Sequence, residues 1–261
     1  MITILTPTYN RAHTLPRLYE SLCAQTSKDF EWIIIDDGSD DGTRSLVEEF
    51  SLNADFSVRY LWQVNAGKHV AVNSGVELST GDWVFIVDSD DALTLDAIEV
   101  VKKTISVQSL DKAVGLCFRK AYFDQVIVGE IVDKAGHVVM TPSRAGHLVK
   151  GDLAYIFKTS AMKIVPFPVI QGEKFVPELY VWNKISDLGF VYFFLNKFIY
   201  FCEYLDDGYS KNFRANLRNN PKGFLRFYQS QFLREPFFYG KIKCVIRGFQ
   251  CCLYIFKKSF S

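Results

Sequence analysis

Short, almost unbroken apolar runs alternate with longer amphipathic segments through the first half of the chain. Ile2–Thr6 reads as a strand, closed by Pro7, which lacks the N–H that a central ladder needs. From about Thr14 to Gln25, the residues Leu15, Leu18, Tyr19 and Leu22 recur at helical spacing and form one apolar face. Phe30–Ile35 is a second strand that ends in Asp36-Asp37-Gly38-Ser39, and a helix follows from about Thr43 to Phe50. Val58–Gln63 is a third strand, after which Asn65-Ala66-Gly67-Lys68 opens a helix carrying Val70, Val72 and Val76. Asp82–Val87 is continuously apolar from Trp83, as expected of a strand covered on both faces, and it stops abruptly in Asp88-Ser89-Asp90-Asp91. With a further helix over about Leu95 to Val107, the rhythm predicts an α/β fold, a Rossmann-like, mainly parallel sheet flanked by helices.

Beyond Lys112 the pieces shorten. Ala113–Arg119, Val126–Val132 and His137–Met140 suit a small antiparallel addition that holds one side of a cleft. A helix at about Pro177–Leu188 and a strand pair, Phe190–Leu195 and Phe198–Glu203, complete a body of residues 1–209, divisible into halves 1–110 and 111–209. From Asn212 onward, within residues 210–261, one or two amphipathic helices follow.

Charge sharpens that division. The net charge of +1 hides a body with 28 acidic and 19 basic side chains and a tail with one acidic and eleven basic. An acidic body argues against general nucleic-acid binding, whereas a basic, aromatic tail suits an anionic membrane surface. The six cysteines lie largely in apolar surroundings without metal-ligand spacing, which suits a reducing compartment. Neither a signal-peptide pattern nor a run of 18 uncharged apolar residues occurs, so the chain reads as cytoplasmic, with the inner face of the cytoplasmic membrane as a peripheral location.

Chemistry-bearing residues gather where strands end. In open α/β sheets ligands bind beyond the carboxyl ends of the strands. Asp88-Ser89-Asp90 stands there, and Mg²⁺ or Mn²⁺ takes such hard oxygen ligands, usually one or two carboxylates plus substrate phosphates. Capping of the next helix by Asp90 or Asp91 is the competing role. Asp36-Asp37, with Gly38 allowing a close turn, offers carboxylates to a nucleobase or ribose, or else forms an Asx-turn. Strand one delivers Thr6, Pro7, Thr8, Tyr9, Asn10 and Arg11 to the same edge, and the helix opening at Lys68 presents free N–H groups and a cation to a diphosphate. An oxidoreductase would need G-x-G-x-x-G after strand one, which Thr6-Pro7-Thr8-Tyr9-Asn10 is not.

Together, Thr6 to Arg11, Ile34 to Thr43, Asn65 to His69 with Asn73, and Gly81-Asp82 with Asp88 to Asp91 resemble the motifs of family 2 glycosyltransferases of the GT-A fold, over about residues 1–100. Gly172 to Glu178 and Trp182-Asn183 resemble, more loosely, the acceptor-side motif of bacterial members that build surface polysaccharide. The resemblance implies an inverting, metal-dependent hexosyl or N-acetylhexosaminyl transfer from a nucleotide sugar, commonly a UDP-sugar, to a hydroxyl of a glycan or lipid-linked acceptor. It implies nucleotide binding by Thr6, Pro7, Thr8, Tyr9, Arg11, Asp37, Lys68, Asp88 and Ser89. Asp90, with Asp88, would hold Mg²⁺ or Mn²⁺. Family members carry an acidic pair on the acceptor side; here Pro177-Glu178-Leu179 departs from it, leaving Glu178 as the candidate base and Glu173 and Asp187 as weaker ones. A chain that binds nucleotide sugar without turning it over is the alternative. In the tail, aromatics from Phe224 to Phe256 interleave with basic residues, to meet a membrane or to pack on the body or on a second subunit.

Overall fold

The computed structural model describes residues 1–107, 112–204 and 212–258. The 209/210 boundary expected from charge falls outside the described residues. Its elements run β1 (Ile2–Thr8), α1 (Leu15–Cys23), β2 (Phe30–Asp36), α2 (Thr43–Asn53), β3 (Ser57–Trp62), α3 (Lys68–Leu78), β4 (Trp83–Ile86), β5 (Ala92–Leu93) and α4 (Ala97–Val107). Then follow β6 (Ala113–Ala121), β7 (Val138–Val139), α5 (Pro142–Val149), β8 (Leu153–Lys158), α6 (Thr159–Ile164), α7 (Glu178–Ile185) and β9 (Phe190–Phe201). Three helices close the fold, α8 (Phe213–Asn219), α9 (Pro221–Arg234) and α10 (Phe238–Lys258).

One sheet runs through the molecule in the order β3-β2-β1-β4-β8-β6-β9-β5, with β7 beside β9. The first four strands are parallel, with Thr6 opposite Ile34 and Leu5 opposite Ile86. Helices cover both faces, which is why β2 is apolar at every position from Trp32 to Ile35. Trp32 and Ile34 pack with Leu15, Leu18 and Val47, while Ile33 and Ile35 pack with Val72, Val76 and Trp182. Each such side chain, fully removed from water, contributes about 1.5–3 kcal/mol, so neither parity of the Trp32–Ile35 run tolerates a polar residue.

The second half is where expectation and structure differ. The antiparallel addition exists, but its pivot is β8, inserted between β4 and β6 and antiparallel to both. Val126–Val132 is not a strand: Tyr122 N–H donates to the Val126 carbonyl, and Gly129, at φ +81°, turns the chain where a Cβ would meet the Val149 carbonyl. The pair Phe190–Leu195 and Phe198–Glu203 is one twelve-residue strand, β9, whose polar Asn196-Lys197 is absorbed by register shifts against β6. Because β6 lies parallel to β9 and antiparallel to β8, the carboxyl ends of β6 and β9 and the start of β8 reach the same edge as the carboxyl ends of β1 to β4. The sheet thus aims seven strand ends at one place.

Candidate active site

A cleft of about 1040 Å³ opens at that edge, a size that accommodates a ligand larger than most drug-like molecules. Pro7, Thr8, Tyr9, Arg11, Asp37 and Lys68 line it from the first strands, and Asp88, Ser89 and Asp90 line its floor. Glu178, from the first turn of α7, lines it as well. Thr6 is not brought to the cleft: it is buried, and its Oγ1 accepts a 2.9 Å hydrogen bond from Trp32 Nε1. The reason is depth along the strand, since Thr6 lies two residues inside the end of β1, opposite Ile34, whereas Thr8 is its last residue. Thr8 Oγ1, by contrast, is buried at the cleft with no hydrogen-bond partner among the described residues.

Lys68 sits at the centre. As the first residue of α3 it places Nζ 2.6 Å from Asp88 Oδ1 and 2.8 Å from Glu178 Oε1. Residues widely separated in the chain thereby share one cation. Burial acts to lower the Lys68 pKa, but the charges of Asp88 and Glu178 outweigh it and hold the ammonium well above its ordinary value. Burial likewise acts to raise the Asp88 pKa, and Lys68 with Lys120 reverses it, so Asp88 stays ionised. Asp90 is raised by burial and by the charge of Asp88.

Asp37 does something narrower than its position suggested. Its Oδ1 accepts from Gln63 Nε2 at 2.8 Å and from Ala66 N–H at 2.9 Å, and its Oδ2 accepts from Gly67 N–H at 2.7 Å. The carboxylate therefore fixes the turn that opens α3, while still lining the cleft. Gly67, at φ +99°, is required there because a Cβ would collide with the Lys174 carbonyl.

Of the weaker base candidates, neither is free for that role. Glu173 accepts from the backbone N–H groups of Lys222 (2.8 Å) and Gly223 (2.7 Å), capping the start of α9. Asp187 is paired with Arg234. Two residues went unrecognised in the sequence. Tyr200 accepts from Asp88 N–H at 2.9 Å and donates to Asp91 Oδ2 at 2.7 Å. Lys120 lies 3.9 Å over the Tyr200 ring and 3.7 Å from Asp91, whose pKa burial pushes up to about 7. The signal for Lys120 was available, since Arg119 and Lys120 are ionisable side chains near the end of an otherwise apolar strand; Tyr200 carried none.

Among the described residues no group of three or more His, Cys, Asp or Glu side chains is arranged to hold a metal ion. Two carboxylates, Asp88 and Asp90, line the cleft together, and burial followed by the charge of Asp88 raises the Asp90 pKa. That pair fits a divalent cation whose remaining ligands are phosphate oxygens and water, the usual arrangement for Mg²⁺. The far wall of the cleft is aromatic and comes partly from the tail, through Phe213, Phe224, Phe227 and Tyr228. Part of the tail therefore packs on the body, with Phe224 and Tyr228 buried among Leu217, Cys244 and Cys251.

Residues 3–125 match the family model described as Glycosyl transferase family 2. Glycosyltransferase GlyA of Streptococcus pneumoniae is 37% identical over 114 residues, which are 44% of this chain and 16% of GlyA. The chain spans well under half the length of the curated relatives it matches. Two solved structures share the fold: S. aureus TarS 1–349 in complex with UDP-GlcNAc (TM-score 0.71, 17% identity, 98% of this chain and 72% of that one), and the mannosyltransferase PcManGT from Pyrobaculum calidifontis in complex with GDP-Man and Mn²⁺ (TM-score 0.58, 16% identity, 100% and 75%). Both resemblances are of GT-A architecture.

Proposed function

We propose that this chain, whose residues 3–125 match the model of glycosyl transferase family 2, transfers a sugar, with inversion, from a nucleoside diphosphate donor to an acceptor hydroxyl. The donor class is a UDP-linked hexose or N-acetylhexosamine. The acceptor is a glycan or lipid-linked saccharide in cell-surface polysaccharide synthesis. The observation that carries the reading is the convergence, in one cleft, of the acidic turn after β4, the cation Lys68 and the carboxylate of Glu178. The TarS complex with UDP-GlcNAc and the PcManGT complex with Mn²⁺ support the choice of donor and metal.

Leaving-group departure concentrates charge on a phosphate oxygen, and a Mg²⁺ or Mn²⁺ ion held by Asp90 and Asp88 would stabilise that charge. Lys68 stands beside this turn and adds a second, fixed positive charge toward the diphosphate. Thr8 Oγ1, otherwise without a partner among the described residues, is placed to bond the nucleoside. Glu178, the cleft carboxylate that α7 contributes, takes the acceptor proton. Lys68 keeps Glu178 oriented until the donor phosphates compete for the ammonium.

The experiment is a panel of nucleotide sugars incubated with the full chain and Mn²⁺, with release of nucleoside diphosphate as the readout. One sugar nucleotide of the panel should be turned over, and the Asp90→Asn protein should turn it over at least tenfold more slowly. Binding without any release, across the panel and with soluble glycans added, would show a silent binding protein instead.

A further inference from the structure

The last helix faces the wrong way for a helix that only completes a fold. α10 seats on α9 through its small and thiol side, where Cys244 and Cys251 are buried and Gly240 leaves no room for a Cβ against Glu235. Its apolar arc is on the opposite side. Phe238, Ile242, Val245, Phe249, Leu253 and Phe256 recur every three or four residues, which aligns them along one stripe. All are exposed, Phe238 at 79%, Phe249 at 67% and Phe256 at 64%, and Ile246, beside the stripe, at 61%. A continuous exposed apolar stripe over a 21-residue helix marks an interaction surface, because water contact along its whole length opposes folding.

Charge identifies the occupant. Phe238–Lys258 contains five Lys and Arg and no Asp or Glu. By helical spacing Lys241 borders one edge of the stripe, and Lys243 and Lys257 lie beyond the other. Two such helices packed face to face would set like charges against one another, whereas an anionic bilayer takes apolar side chains below its headgroups and cations at them. No helix among the described residues is long and apolar enough to cross a membrane, so the stripe would lie in the interface rather than span it. We propose that the outer face of α10 is a docking surface for an anionic lipid bilayer. The same hairpin of α9 and α10 then has two uses, since α9 sends Phe224, Phe227 and Tyr228 to the cleft while α10 holds the surface.

The test uses the full chain and sedimentation with vesicles of phosphatidylglycerol and phosphatidylcholine, or of phosphatidylcholine alone, with no nucleotide sugar present. Its outcome is therefore independent of the proposed transfer activity. Anionic vesicles should bind the protein at least about tenfold more strongly than neutral ones, and the preference should weaken in high salt. The double variant Ile246→Glu with Phe249→Glu should lose binding and keep its thermal midpoint, whereas Leu52→Glu, 87% exposed on α2, should bind as before. The proposal is overturned if the unaltered protein ignores anionic vesicles or if the double variant binds undiminished. It is equally overturned if light scattering shows a dimer that the double variant dissolves while vesicles bind neither protein, which would make the face a contact between two copies.

Discussion

Replacing Glu178 by Gln separates chemistry from architecture. Glu178 occupies the first turn of α7, where a negative charge also complements the helix dipole, so loss of activity alone would not distinguish the two roles. The structural cost follows from exposure. The side chain is 40% exposed and forms a 2.8 Å ion pair with Lys68. Solvent screening limits such a pair to about 1 kcal/mol or less, and the dipole contribution is about 0.3–1 kcal/mol. For a chain of this size, about 1 kcal/mol lowers the unfolding midpoint by about 2–4 °C. A positioned general base contributes about 10²–10⁴ in rate, or about 3–5 kcal/mol of barrier. Glu178→Gln should therefore lose at least a hundredfold in nucleoside diphosphate release while the midpoint falls by only a few degrees and the donor still binds. Scanning calorimetry and a coupled release assay measure the two sides. A protein with a lowered midpoint and a rate within twofold of the original would refute the base role and leave Glu178 as a helix-end charge.

Glu173→Gln should show the opposite pattern, a midpoint lowered through about 1 kcal/mol of lost capping at α9 and a release rate within twofold of the original. Gly67→Ala should destabilise by about 2–4 kcal/mol and weaken donor binding, because both its φ of +99° and the Lys174 carbonyl reject a Cβ; equilibrium urea unfolding measures the loss. Glu31, buried at the opposite end of the sheet, gives a pH signature. Burial acts to raise its pKa, but hydrogen bonds from Thr3, Thr80 and Gly81 outweigh this and hold it below the ordinary 4.5. A depressed folded value means that the stabilisation is complete above about 4.5 and is lost as pH falls through the folded pKa. The Glu31→Gln protein should lack that acid-side segment of the stability curve and cost about 1–3 kcal/mol near neutrality, as charge-assisted bonds at Thr80 and Gly81 weaken.

What was legible in the sequence divides along the same lines as the physics. β1, β2 and β4 and their helices were readable because each strand is buried on both faces, which forces nearly unbroken apolar runs, and each ends in residues of another type; β3, the exposed edge strand, lacks that burial. The cleft residues at those ends were readable for the same reason, since a topological edge gathers whatever the turns carry. Thr6 was misplaced because a motif read as a string does not show where the strand ends: Thr6 lies inside β1, its hydroxyl bonded to Trp32, and the edge begins at Pro7 and Thr8. β8 was missed because six residues, Leu-Ala-Tyr-Ile-Phe-Lys, give too short a signal to show that they pair between β4 and β6. The split of β9 into two strands followed a polar pair that a register shift accommodates, and register is a property of the neighbour. Glu173 read as a possible base because a carboxylate looks the same in sequence whether it caps a helix or faces a substrate. The tail combined two behaviours that composition averages together, aromatics turned into the cleft and aromatics turned to solvent. Tyr200, which joins Asp88 to Asp91, came from a long-range contact that no local pattern encodes.

The account rests most heavily on the acidic turn after β4 gripping a cation against the donor's phosphates. Titration calorimetry of UDP with the protein, with and without Mn²⁺, tests this directly when repeated on Asp90→Asn. The unaltered protein should bind UDP at least tenfold more tightly with Mn²⁺ than without it, and the variant should bind it equally weakly in both conditions. An undiminished Mn²⁺ effect in the variant would place the metal elsewhere and contradict the reading of the site.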